Sequence, residues 1–267
     1  MALKIGAMVE SFRKDFRGGV EAAAALGVDG VQAYATNGEL SVANMTPDRI
    51  KEVLDIVKSN GLCFSAICGD FGKGFLHAEL NDELVEKSKR VLDLAKKLEC
   101  NIVTTHIGKL TAEETPEKEA ARKACRELAL YADSIGSCFA VETGPEVAPI
   151  LADFLDSLGA MGVRVNLDPA NLVMCSCDDP VKAVHTLKKY IVHTHAKDGI
   201  NISTDPLQYK EMALGQGSVD FDNYLQALHE IGFDGFLTIE RECGETPEAD
   251  ISLAMNYLKE IKAKYNI

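Results

Sequence analysis

Three acids and one histidine stand where apolar, β-branched segments run out. They are Glu142 in Ala140-Val141-Glu142-Thr143, Asp168 in Asn166-Leu167-Asp168-Pro169, His195 in His193-Thr194-His195-Ala196-Lys197-Asp198, and Glu240 in Thr238-Ile239-Glu240-Arg241-Glu242. An unpaired charge in such surroundings costs several kcal/mol, so each member needs a compensating partner. Gathered in one place, three carboxylates and an imidazole make a hard cage of oxygens with one nitrogen. That donor set suits one divalent ion, Mn2+ first, with Mg2+, Co2+, Zn2+ or Fe2+ as alternatives. The two-residue alternation of a strand supports the grouping, because His193, His195 and Lys197 share a face, as do Asn166 with Asp168 and Glu240 with Glu242.

A second tier of polar residues falls near the same positions. His106, in Thr104-Thr105-His106-Ile107-Gly108, is placed to hold a substrate hydroxyl or move a proton. Asn171 and Lys197 are further candidates for substrate contact, Lys197 also as a counter-charge to the acids. His193 lies one residue pair deeper than His195; it is counted with the substrate-binding candidates, although a partner to His195 suits that depth better than a ligand. His185 and His229 fall in helical patterns and read as surface residues, and His77 lies in a glycine-containing loop without the Lys-Ser/Thr ending of a phosphate cradle. Cys175-Ser176-Cys177 lacks the second pair that a zinc site needs, and no Gly-x-Ser-x-Gly elbow occurs.

The elements that must position these residues alternate along the whole chain. Strand-like runs cover Lys4 to Met8, Val28 to Tyr34, Cys63 to Asp70, Asn101 to Gly108, Cys138 to Gly144, Val163 to Asn171, Ile191 to Asp198 and Gly235 to Glu242. Amphipathic stretches separate them, opened by Thr46-Pro47, Thr115-Pro116, Asp179-Pro180 and Thr246-Pro247 as N-cap and first-turn pairs, and closed by Gly27, Gly61, Gly136, Gly162 and Gly232. Eight βα units predict an α/β fold, a (β/α)8 TIM barrel formed as a single domain over residues 1–267. In such barrels the reactive side chains gather at the C-terminal ends of the strands, where all four candidates fall. The first strand is followed by Met8-Val9-Glu10-Ser11-Phe12, which has no resemblance to the glycine-rich turn of a doubly wound nucleotide-binding sheet. Gly199 to Val219 is expected to be a long lid or binding loop.

Bulk properties narrow the partners. A net charge of −13 argues against general affinity for nucleic acid and for a small-molecule, sugar-like substrate. No apolar run approaches the length of a membrane span, and the N-terminal Met-Ala-Leu-Lys-Ile-Gly enters a strand pattern without a signal-peptide core; a cytoplasmic protein is expected, with its eight cysteines reduced.

Taken as a set, Val141-Glu142, Leu167-Asp168-Pro169-Ala170-Asn171, His193 to Asp198, Leu214 to Asp220 and Leu237 to Glu242 resemble the xylose-isomerase-like barrels of sugar isomerases and epimerases. The resemblance spans nearly the whole chain. It implies one metal bound by Glu142, Asp168, His195 and Glu240, with Glu142 and Glu240 as the acid and base that move a proton through an enediolate. The implied activity is isomerisation or epimerisation of a small sugar, keto-sugar or polyol. The alternative is a dehydratase or lyase that acts on a keto-inositol or 3-keto-glycoside by β-elimination. Asn171 departs from the ketose 3-epimerase pattern, which carries histidine there, and six histidines leave the three-zinc cluster of endonuclease IV incomplete, so DNA repair is disfavoured. Assembly into a homo-oligomer through barrel helices is a further expectation from related enzymes. A barrel that only binds sugar is the non-catalytic alternative, and it predicts no metal.

Overall fold

The computed structural model describes residues 3–267. Met1 and Ala2, which open the N-terminal segment discussed above, lie outside the described residues. Eight parallel strands close into a barrel: β1 (Lys4–Met8), β2 (Gly30–Tyr34), β3 (Cys63–Cys68), β4 (Ile102–Thr105), β5 (Cys138–Glu142), β6 (Val163–Leu167), β7 (Ile191–Ala196) and β10 (Phe236–Ile239). Around the barrel their order is β1-β10-β7-β6-β5-β4-β3-β2, so the last strand pairs with the first. Helices follow the strands and cover the outside, as expected for a TIM barrel.

Residue type decides which face of each strand meets what. Ile5, Ala7, Val31, Ala33, Phe139, Val141, Val165, Leu167, Leu237 and Ile239 belong to the apolar core between barrel and helices. Each fully buried Val, Leu, Ile or Phe side chain there contributes about 1.5–3 kcal/mol relative to an exposed one. The alternate residues, including Gln32, Asn166, His193, His195 and Thr238, are polar and fully buried inside the barrel. Gly6 is one of these inward positions, and a Cβ on it would lie 2.7 Å from Thr238 Oγ1, so that interior has no room for even a methyl group on β1.

The helix starts follow the expected chemistry at three of four places. Thr46 accepts from the Arg49 N–H, Thr115 from that of Lys118, and Asp179 from those of Val181 and Lys182. Thr246 precedes Pro247–Tyr265 but makes no side-chain cap bond. Gly27 closes Phe16–Leu26 in the left-handed conformation. Gly162 serves differently: a Cβ there would sit 2.1 Å from the Ala129 carbonyl oxygen, so close packing and not backbone freedom requires glycine.

Two expectations need correction. The run read as strand to Asn171 ends at Leu167, because Asp168 turns the chain and caps a helical turn over Pro169–Asn171 that continues as a π turn over Leu172–Ser176. The long connection is not an irregular loop: β8 (Asp198–Thr204) and β9 (Leu207–Met212) pair antiparallel as a hairpin. Ile200, Ile202 and Thr204, then Leu207, Tyr209 and Glu211, alternate about Asp205-Pro206, the period-2 signal of two strands joined by a turn. No helix among the described residues is long and apolar enough to cross a membrane.

Candidate metal centre

Strand pairing brings the four distant residues to one spot. Glu142 is the last residue of β5 and pairs with Asn166 of β6; Asp168 follows β6; His195 of β7 pairs with Thr238 of β10; Glu240 follows β10. Each offers one ligand atom, and all four atoms lie within 4.8 Å of one another. His195 Nδ1 sits 3.6 Å from Glu142 Oε2, 3.5 Å from Asp168 Oδ2 and 3.3 Å from Glu240 Oε2.

The remaining bonds of these groups show why they converge. Asp168 Oδ1 accepts the Asn171 N–H (2.9 Å), which fixes the carboxylate and leaves Oδ2 turned inward. Thr143 Oγ1 donates to the Asp168 carbonyl (3.0 Å) and accepts its N–H (2.9 Å), so the backbone is held as well. Gln32 Oε1 lies 3.1 Å from His195 Nε2, while its amide nitrogen donates to Thr104 Oγ1 (2.9 Å). Gln32 therefore presents an acceptor to Nε2, at a shorter distance than the Asn166 amide nitrogen (3.3 Å), so a proton on Nε2 is favoured and Nδ1 is the ring atom turned toward the carboxylates.

Asp168 Oδ2 and His195 Nδ1 are both buried without a hydrogen-bond partner. Two adjacent unsatisfied buried atoms are costly unless something sits between them. A divalent ion bound at about 2.0–2.6 Å can touch donors up to about 4–5 Å apart, and the four atoms lie within 4.8 Å of one another. The residues present thus fit one divalent cation.

The protein's own charges define the electrostatics. Burial disfavours the charged form of His195, yet Glu240 and Glu142 outweigh it and hold the ring well above its ordinary pKa. Burial likewise opposes ionisation of Glu142, and His195 with His106 overcomes it, keeping that carboxyl well below the usual range. Glu240 is brought down to about 2 against burial by His195 and Lys197. Burial raises Asp168. A bound cation would replace the imidazolium proton as the counter-charge to three acids.

Above the cage lies a cavity of about 160 Å³, lined in part by Tyr34, Cys68, Asp70, His106, Asn171 and Lys197. His106 is half exposed; its Nδ1 is 2.8 Å from Asp70 Oδ2, and Nε2 is 3.4 Å from Glu142 Oε1. The Glu142 charge, against burial and helped by Asp70, pushes the His106 pKa up to about 11. Asn171 Nδ2 donates to Glu142 Oε1 (2.9 Å), and Lys197 Nζ donates to Glu240 Oε2 (2.9 Å) and to Glu242. His193 is not in the mouth. It is fully buried below, with Nδ1 2.8 Å from Asn166 Oδ1 and Nε2 2.8 Å from Thr238 Oγ1, which corrects its placement among the substrate contacts.

Gln32, Asp70 and Thr143 were not singled out from the sequence, and Asn166 entered only as the strand-face neighbour of Asp168. Asn166 links the network, donating from Nδ2 to Glu142 Oε2 (3.1 Å) while its oxygen faces His193. A polar side chain inside an apolar strand was the available signal for Gln32 and Asn166. His185 and His229 are exposed on helices, as expected, and all eight cysteines are free.

The family model for xylose isomerase-like TIM barrels matches residues 20–261. The chain belongs to this family. No curated protein matches the sequence. Among solved structures, a xylose isomerase domain protein from Planctomyces limnophilus is 24% identical, with 98% of each chain covered and a TM-score of 0.86. The probable 3-DHS dehydratase AsbF of Bacillus anthracis is 20% identical over 96% of this chain and 99% of that one, with a TM-score of 0.79. D-psicose 3-epimerase from Clostridium cellulolyticum H10, solved with D-tagatose, is 16% identical over 97% and 99%, with a TM-score of 0.77. At these identities the likeness establishes the barrel, which carries both epimerase and dehydratase members.

Proposed function

We propose that this family barrel is a divalent-metal-dependent isomerase or epimerase of a small sugar, keto-sugar or polyol. The observation that carries the reading is the pair of unsatisfied buried atoms, Asp168 Oδ2 and His195 Nδ1, facing Glu142 and Glu240 in the barrel mouth. Glu142, Asp168, His195 and Glu240 would hold the ion, with Mn2+ the first candidate. When bound, a divalent cation there supplies Lewis acidity, polarising a substrate carbonyl and stabilising the negative charge that develops as the neighbouring C–H is deprotonated.

The chain supplies the proton transfer. Glu142 and Glu240 rise from strands on different sides of the mouth, and both are ionised, so each presents a carboxylate oxygen free of a proton, although the cationic neighbours that keep them ionised also lower their basicity. Asn171 and His106 fix the orientation of Glu142 through Oε1; Lys197 does the same for Glu240 through Oε2. His106, anchored by Asp70 and open to the cavity, is the group best placed to hold a substrate oxygen or return a proton to it. The acids are largely buried, which strengthens each of these interactions relative to bulk water.

Elimination is the second reading. It uses the same metal-assisted proton abstraction, the departure at Asn171 weakens the resemblance to the ketose 3-epimerases, and a probable dehydratase is among the solved structures of similar fold. Incubating the Mn2+-loaded protein in deuterated water with a ketose and keto-glycoside panel separates the two. Solvent deuterium at carbon with an unchanged formula supports epimerisation or isomerisation; loss of water or aglycone supports elimination. Absence of turnover and of metal would leave a binding barrel.

A further inference from the structure

Glu240 lies one residue beyond its strand, so the barrel ladder does not hold it firmly. Its N–H reaches the Ala196 carbonyl at 3.3 Å, and past that point the chain leaves the sheet. Its carboxylate is held from the mouth side by His195 (3.3 Å) and Lys197 (2.9 Å), contacts that leave the backbone at this point unanchored. What holds the backbone lies on the opposite face, at the next residue. The Arg241 N–H donates to Ser11 Oγ (2.9 Å), its Nε to Asp250 Oδ2 (2.8 Å), and Nη1 pairs with Glu211. Glu211 Oε1 also accepts the N–H groups of Glu242 (3.2 Å) and Cys243 (3.3 Å).

Glu211 belongs to β9, in the hairpin, and its side chain is only 5% exposed. A single carboxylate from a separate element thus bonds a guanidinium and two successive backbone amides that flank a cage acid. Charge-assisted bonds of this kind are the strong ones, and being shielded from water they are weakly screened. The segment fits tightly around them: at Gly244 a Cβ would lie 2.8 Å from the Arg241 guanidinium and 2.7 Å from Asp250 Oδ2.

We propose that Glu211, acting through Arg241 and the amides of Glu242 and Cys243, is a positioning residue that sets where Glu240 meets the metal and so couples the hairpin to the cage. This rests on the metal reading above. By reciprocity, a cation that fixes Glu240 also steadies the hairpin.

The experiment compares the full-length wild type with Glu211→Ala, Glu211→Gln and, as a control in the same hairpin, the exposed Gln208→Ala. Mn2+ affinity is read by electron paramagnetic resonance, metal-free melting temperature by calorimetry, and hairpin amide exchange with and without Mn2+. Glu211→Ala should weaken Mn2+ binding about tenfold, the lower end of what removing a supporting partner does. Glu211→Gln, which keeps an acceptor for the two amides, should recover part of that loss, and Gln208→Ala should match wild type. Mn2+ should slow hairpin exchange in wild type and much less in Glu211→Ala. If the alanine variant does not fold, the glutamine variant alone decides. Mn2+ affinity unchanged in the Glu211 variants, with only the metal-free melting temperature lowered, would overturn the proposal. A wild type that binds no Mn2+ overturns the metal reading and this one with it.

Discussion

Asp168 and Asp198 are buried aspartates just beyond the ends of neighbouring strands, 0% and 1% exposed, and they are satisfied in opposite ways. Asp198 accepts four backbone N–H groups, from Gly199 (2.8 Å), Gly215 (3.0 Å), Gly217 (2.8 Å) and Val219 (3.1 Å). It staples the return of the hairpin to the barrel. Asp168 has one oxygen that caps a turn and one without a partner. Burial of an acid therefore does not mark a functional site, and the metal proposal rests instead on a buried acid left unsatisfied beside an unsatisfied imidazole. The segment that ends β7 and opens β8 carries a candidate ligand, His195, and a structural staple, Asp198, three residues apart.

The largest expected effect of that contrast falls on metal affinity. Asp168→Asn should weaken Mn2+ binding about a thousandfold, on the order of 4 kcal/mol, since supporting partners alone are worth tenfold to a hundredfold. The metal-free melting temperature should stay level or rise, because the substitution removes one repelling charge from the cage. Calorimetric titration and thermal unfolding check the two halves.

Glu146 is an intermediate case, buried with a bond from the Leu110 N–H (3.2 Å), and burial pushes it up to about 7 from 4.5. A carboxyl raised in this way gives its full contribution to stability below about 4.5 and loses it as pH rises through about 7. Between these limits its titration should cost the wild type roughly 3 kcal/mol, and Glu146→Gln should remove that part of the decline. Urea unfolding at pH 4.5 and pH 8 measures it.

Asp198→Asn should show the reverse of Asp168→Asn. It places an amide N–H against backbone donors and should destabilise the fold by about 2 kcal/mol while leaving Mn2+ affinity within about threefold. Thermal unfolding and the same titration read both values. The smallest expected effect is that of Gln32→Leu, which removes the acceptor that fixes the His195 tautomer and should weaken Mn2+ about tenfold.

Much of this contrast was legible in residue types. The eight barrel strands follow from apolar alternation, and Glu142, Asp168, His195 and Glu240 were conspicuous because a charge at the end of an apolar run needs a reason. What distinguishes Asp168 from Asp198 was not legible, since four amides from Gly199, Gly215, Gly217 and Val219 converge only once the hairpin has formed. The hairpin itself was hidden by reading length before alternation. Gln32 and Asn166 each follow the strand period but carry no spacing signature, and their partners come from strands remote in sequence. The greater depth of His193 followed from its place on the strand, but its partners Asn166 and Thr238 come from neighbouring strands and carry no spacing signal.

The most direct measurement is a titration of the chelator-treated wild type and of Asp168→Asn with Mn2+, followed by calorimetry and by the proton released to a weakly buffered solution. One ion bound per chain in the wild type, with proton release as His195 gives up its charge, and almost none in the variant is the predicted result. Equal binding by both proteins, or binding by neither, would contradict the claim that the unsatisfied acid and imidazole exist to hold a metal.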